Sequence, residues 1–347
     1  MFSALLFTRR HRLRAAVTIA SLAWLCASCS GYSTPGALPF PTPGGQGSGT
    51  VSGTIVGQSD GSPVANATVT LAGVAGTTDP QGVFALNGVP DSGAGGLTVQ
   101  AQGHLLRGVA LELAPSRSGV RIDVIRDAAP FSLGFYRAFA RNGLESATLL
   151  ETRRWTMDPS FFFVTTVEGS GLTVPEDLLA QIEANFTRSV TDLTGGRLKV
   201  AAFQRGPEAP EPQEGWVIVS FAEELFGGAL GRSTVGGNMG SIALRFDPGV
   251  PSNSSTNPHG CSSYPLAVAD HEITHTLGFW HTFDVLTDTF SGPSCSGARP
   301  EHVRHHADLM YSRPRGNRDP DIDPVDLLQS QAPISSKPTI VSCYAFR

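Results

Sequence analysis

The run His271-Glu272-Ile273-Thr274-His275-Thr276-Leu277-Gly278-Phe279-Trp280-His281 constrains this chain more than any other stretch. Histidines four apart share one helical face, so His271 and His275 can ligate one metal ion with Glu272 beside them as general base. His281 cannot join them on a helix that continues. At 1.5 Å of rise per residue it would lie roughly 9 Å past His275, whereas a Zn–N bond measures about 2.0–2.1 Å. The helix must end between the second and third histidines. Gly278 is the residue able to take the left-handed cap that turns the chain back. Leu266, Ala269, Ile273 and Leu277 recur at helical spacing roughly opposite His271 and His275, which predicts a helix buried on one face and open to a cleft on the other. Ser262, Ser263 and Pro265 read as its start signals.

The pattern H-E-x-x-H-x-x-G-x-x-H resembles that of the metzincin clan of zinc metallopeptidases. That clan also carries a methionine-containing turn beneath the metal. Ala307-Asp308-Leu309-Met310-Tyr311-Ser312 resembles that turn, with Met310-Tyr311 nearest the matrixin version. The resemblance implies an α+β zincin domain over residues 128–347, a twisted mixed sheet with an active-site helix. Residues 154–166 would form its first strand, 174–193 a helix, and 216–221 a short buried strand. Residues 241–246 would form the edge strand that aligns a peptide substrate. Asp323-Pro324-Val325-Asp326 would open a last helix, with an N-cap and a proline at the first helical position. The resemblance further implies Zn²⁺ on His271, His275 and His281, Glu272 as catalytic base, and Gly278 and Met310 as structural residues near the site. The implied activity is that of a zinc metalloendopeptidase acting on protein or peptide substrates.

There are departures from the clan. No propeptide with a cysteine switch is evident, and Thr282 after His281 places the chain in no single metzincin family. Tyr311 directly follows Met310, which leaves its role as a fifth ligand open.

A chain of 347 residues, 40% hydrophobic, has room for two cores, and a net charge of −5 gives no footprint for nucleic acid. Basic residues cluster only at Arg9-Arg10-His11-Arg12-Leu13-Arg14, ahead of an apolar run over residues 15–26 that is too short to span a bilayer. Residues 1–29 therefore read as a secretory signal. Cys26-Ala27-Ser28-Cys29 resembles a lipobox, with Cys29 as the lipidated residue; ordinary signal cleavage and retention as an anchor are the alternatives. Residues 30–48, rich in Gly, Pro and Ser, read as a tether. The expectation is a monomer exported to a bacterial envelope or beyond, touching membrane only through its lipid. Cys261, Cys295 and Cys343 would give one disulfide and one odd thiol, with connectivity open.

Residues 49–127 contain short β-rich runs at 51–56, 68–71, 83–86, 97–101 and 120–124, separated by turn signals such as Asp60-Gly61 and Asp79-Pro80-Gln81-Gly82. Their spacing predicts a small antiparallel β-sandwich. The motif running from Gly49 through Pro63-Val64 and Val69 to Thr77-Thr78, Gly82 and Phe84 resembles carboxypeptidase regulatory-like (transthyretin-like) domains. Such a domain would serve as a binding module or as a passive stalk.

Other groups are weaker candidates. His302, His305 and His306 would approach a second ion or simply occupy a loop. Asp284, Asp288, Asp319, Asp321 and Asp323 would bind Ca²⁺, or solvate loops and cap the last helix. The competing function is a surface binding or adhesion lipoprotein with a degenerate metzincin domain.

Overall fold

The computed structural model describes residues 47–246, 264–282, 299–324 and 339–343. The signal, the lipobox, nearly all of the tether, Cys261, Cys295, Asp284, Asp288 and the last helix beyond Pro324 lie outside the described residues. The protein is rich in β-structure, with several sheets and four helices among the described residues.

Seven strands precede the first helix: β1 (Gly49–Gly57), β2 (Thr68–Leu71), β3 (Val74–Thr77), β4 (Val83–Val89), β5 (Ala94–Gln100), β6 (Arg107–Glu112) and β7 (Ser116–Val124). They form two sheets, ordered β4-β1-β7 and β3-β2-β5-β6. Alternate side chains point inward, so Val51, Ile55, Phe84 and Ile122 of one sheet meet Val69, Leu71, Leu97 and Val99 of the other in one core. The turns are held by aspartates: Asp60 accepts from the Ser62 amide at 3.0 Å, and Asp79 from the Gln81 and Val83 amides at 2.9 and 2.8 Å.

The expectation of an antiparallel sandwich needs correction, because β1 pairs parallel with β7 along Thr50–Gly57 and Ser116–Val124. After β6 the chain leaves the second sheet and re-enters the first beside β1 in the same direction. No run of residues foretells such a crossing.

The second region comprises α1 (Leu133–Arg141), β8 (Ser160–Val164), α2 (Glu176–Leu193), β9 (Ala202–Gly206), β10 (Trp216–Ala222), β11 (Gly231–Thr234), β12 (Gly240–Arg245), α3 (Tyr264–Thr276), α4 (Glu301–Ser312) and β13 (Ile340–Cys343). Its sheet is ordered β13-β11-β12-β10-β8-β9. Strands β9, β8, β10 and β12 run parallel, while β11 is antiparallel to β12 and β13 antiparallel to β11. Phe161, Phe163, Val217, Val219, Phe221, Ile242 and Leu244 are buried in this sheet, as parallel strands require. Leu178, Leu179, Ile182, Phe186, Val190 and Leu193 give α2 the apolar stripe that shares their core.

Two expectations fail here. Residues 241–246 do not form an edge, because β11 folds back on β12 and β12 is paired on both sides. Gly231-Arg232-Ser233-Thr234 carries no apolar run, so β11 was invisible to pattern reading. Nor do residues 307–312 form a separate turn. Val303, Ala307, Met310 and Tyr311 lie on one buried helical stripe, so α4 continues to Ser312. It stops at Arg313, whose extended backbone (ψ 155°) is what a residue preceding proline adopts.

The sandwich strand β6 is joined to the segment after α4. Gly108 N–H donates to the Asp321 carbonyl and Asp323 N–H to the Gly108 carbonyl, each at 2.9 Å. Arg107 grips Asp323 with two bonds of 2.7 and 2.8 Å, and Arg313 bonds Asp321 at 2.9 Å and Asp123 at 2.6 Å. Asp319 pairs with Arg137. Of the five aspartates, the three that are described, Asp319, Asp321 and Asp323, are engaged by arginines, and Asp321 is 1% exposed.

Candidate metal centre

Helix α3 carries the first two histidines and Glu272. Every described residue from 265 to 280 is buried, so the helix is enclosed all round rather than open on one face. Its end is built around Gly278, whose φ of +104° suits glycine. A Cβ there would also lie 3.0 Å from the Arg153 carbonyl oxygen. The Phe279 amide donates back to the Thr274 carbonyl at 3.2 Å, the six-to-one bond of a Schellman-type cap. Two aromatic donors satisfy the last carbonyls: Trp155 Nε1 bonds Thr276 O at 2.7 Å, and Tyr311 Oη bonds Leu277 O at 2.8 Å. Burial raises the Tyr311 phenol well above its ordinary range, so it stays protonated and donating to the helix end. That bond, rather than metal ligation, is what the structure assigns to Tyr311.

The turn at Gly278 brings His281 back to the other two rings. His275 Nε2 lies 3.0 Å from His271 Nε2 and 3.2 Å from His281 Nε2, and the third side of the triangle is 3.3 Å. Tautomers follow from the opposite ring atoms. His275 Nδ1 lies 2.8 Å from the Phe279 carbonyl and His281 Nδ1 lies 2.5 Å from Glu145 Oε1, so each Nδ1 carries the proton. Both Nε2 atoms then present lone pairs to each other. Burial foremost, with repulsion from His271 and His281, pushes His275 far below its ordinary pKa and keeps it neutral.

Acceptor nitrogens so arranged repel unless a cation lies between them. Tetrahedral zinc with bonds of about 2.0–2.1 Å separates two ligand nitrogens by about 3.3–3.4 Å, close to the triangle observed. The residues present therefore fit a zinc ion. Among the described residues, these three histidines form the one cluster of three such ligand atoms within reach of a common ion.

Glu272 is fully buried, and Ser233 Oγ donates to its Oε2 at 2.6 Å. Ser233 and Gly231 belong to β11. A Cβ at Gly231 would come within 2.3 Å of Glu272 Oε1 and 2.5 Å of Val268 Cγ1, so only glycine lets this strand approach α3 so closely. The outer side of β11 is taken by β13, with Val341 opposite Ser233. Val341 packs with Val235 and with Trp280, the residue before the third histidine. Met310 is fully buried in the core shared with Ile273 and Leu277.

Sequence reading missed Glu145, Gly231 and Ser233. None has a local signal, since each reaches the site from a remote segment.

Among the described residues, His302, His305 and His306 do not gather into a further cluster of ligand atoms, and all three lie on α4. His306 Nδ1 donates to the His302 carbonyl at 2.7 Å, and its Nε2 accepts from the Ser132 amide at 2.9 Å. Its ring stacks on Phe131 with centroids 5.4 Å apart. Burial lowers its pKa to about 4. It is a neutral clamp between α1 and α4.

No protein-family model matches the chain, and no curated protein matches it. Partial likenesses exist among solved structures. One is a C-terminal interface mutant of a type II cohesin–X-dockerin complex from Acetivibrio cellulolyticus, at 17% identity and TM-score 0.20, covering 25% of this chain and 66% of that one. The corresponding N-terminal interface mutant gives 24% identity and TM-score 0.19, covering 22% and 56%. The major pilin subunit of Bacillus cereus gives 14% identity and TM-score 0.19, covering 22% and 30%. The chain thus spans less than two thirds of each.

Proposed function

We propose that this protein is an exported zinc endopeptidase, with a metzincin-type α+β catalytic domain behind the β-sandwich. One observation carries the reading: three imidazole Nε2 atoms converge within 3.0–3.3 Å, with a buried carboxylate on the same helix. The sheet order, with antiparallel β11 laid against α3, supports the finer architecture. His271, His275 and His281 would hold the ion. An ion held there would supply Lewis-acid chemistry, lowering the pKa of a water and polarising a scissile carbonyl.

Glu272 would act as the general base, accepting a proton from the attacking water and returning it to the leaving amine. Ser233 holds the Glu272 carboxylate in place through its hydroxyl. Of the three imidazoles His281 is the most exposed, with 19% of its side chain accessible, so substrate and water would reach the site from its side. The basic and apolar N-terminal residues with Cys29 support export and lipid tethering to a cell envelope. No helix among the described residues is long and apolar enough to cross a membrane.

Replacing Glu272 by Gln tests the reading. Zinc content should be retained while hydrolysis of a generic protein such as casein falls by about 10²–10⁴-fold. Hydrolysis by the variant at the wild-type rate would overturn the role. An adhesion lipoprotein with a degenerate site would cleave nothing in either form, with or without a chelator.

A further inference from the structure

The third histidine is held differently from the second. His275 turns its Nδ1–H to a neutral carbonyl on its own turn, that of Phe279 at 2.8 Å. His281 turns its Nδ1–H to a carboxylate, Glu145 Oε1 at 2.5 Å, contributed by a residue 136 positions earlier in the chain. Glu145 lies in the loop that follows α1. That loop is fixed at its start by Asn142, the left-handed cap of α1 at φ 58°. It is also tied by the Ser146 amide to the Asn142 carbonyl at 3.0 Å, and by the Leu150 amide to the Arg141 carbonyl at 2.9 Å.

The helix itself bears on the same turn. The Phe139 carbonyl accepts from the Trp280 amide at 2.7 Å, and the Phe139 ring stacks on Phe279 with centroids 4.3 Å apart and planes 14° from parallel. Three consecutive residues of the turn, Phe279, Trp280 and His281, are thus all held by α1 and its loop.

We infer that α1 and its trailing loop are the seat of the third metal ligand, and that Glu145 is its positioning residue. A carboxylate behind an imidazole fixes the Nδ1-protonated tautomer, aims the Nε2 lone pair, and strengthens its donation to the metal. The partner matters more for His281 than for its neighbours. His271 and His275 are oriented by the helix that carries them, whereas His281 stands past its end on a non-helical backbone. The inference rests on the zinc reading above and assigns a role in it to a segment lying ahead of the first strand of the sheet.

Zinc affinity of the metal-free protein, measured by competition with a chromophoric chelator, tests it for wild type, Glu145→Ala and Glu151→Ala. Glu145→Ala should weaken zinc binding by about 10–100-fold with unchanged melting of the metal-free form. Glu151→Ala, which removes a carboxylate from the same region without touching a histidine, should bind as wild type does. Wild-type affinity in Glu145→Ala, an equal loss in Glu151→Ala, or a parallel fall in metal-free melting would each overturn the inference. A wild type that binds no zinc would instead overturn the metal reading itself.

Discussion

Between β1 and β7 the core is made almost wholly of apolar side chains, with Thr78 and Arg107 the buried polar residues of that region among those described. From α1 to β13 the chain also buries Arg141, Asn185, Asp270, His271, Glu272, His275, Arg299, Arg313 and Asp321. Burying polar groups costs free energy unless they are partnered. Some of these make closed structural sets. Asp270 takes bonds from Asn185 at 2.9 Å and Arg299 at 3.1 Å, and Arg313 is closed by Asp321 and Asp123. The histidine triangle differs in kind, because the Nε2 atoms of His275 and His281 meet acceptor to acceptor. A polar interior can serve the fold or serve a ligand, and the direction of the protons tells which.

The largest effect is expected at the junction between β6 and the segment after α4. Asp321→Ala leaves Arg313 and Arg107 facing a vacated partner in a buried setting, and should cost about 3–5 kcal/mol in denaturant unfolding. A negligible cost would show that the arginine network is as undemanding as the sandwich surface.

A smaller effect is expected from His306, a structural histidine set apart from the triad. Its folded pKa is about 4 against an ordinary 6.5, so the unfolded chain takes up a proton that the native state refuses. Its contribution is full above pH 6.5 and is lost as pH falls from 6.5 toward 4. His306→Phe should flatten that part of the stability–pH curve. An unchanged slope would remove His306 from the account.

The smallest effect is at the cap of α1, where Ser132 Oγ accepts from the Phe135 amide at 3.3 Å. Ser132→Ala should lower stability by about 1 kcal/mol by the same unfolding assay. A loss several times larger would mean that α1 is held by its cap rather than by its packing.

The candidate metal site was legible wherever its signal was local. Two histidines on one helical face, and a third that is useful only past a bend, call for the turn at Gly278 on helix geometry alone. The apolar stripe of α2 and the run of β10 were legible for the same reason. What sequence could not show is set by distant pairing. Arg107 meets Asp323 across 216 residues. Glu145 looks like an ordinary surface acid, and Gly231 matters only because Glu272 lies against it. β12 reads as an edge strand until β11 and β13, neither of them distinctive, close over it. The helical character of α3 was expected, but its burial on every side was not, since periodicity reports the apolar stripe and not what covers the polar one.

X-ray absorption spectroscopy on protein loaded with one equivalent of zinc tests the central claim most directly. The account predicts one tightly held ion per chain, with three imidazole nitrogens at about 2.0–2.1 Å and a light-atom fourth ligand. His275→Ala should abolish that signature. A spectrum of hydrated zinc, or a first shell with fewer than three imidazoles, would contradict it.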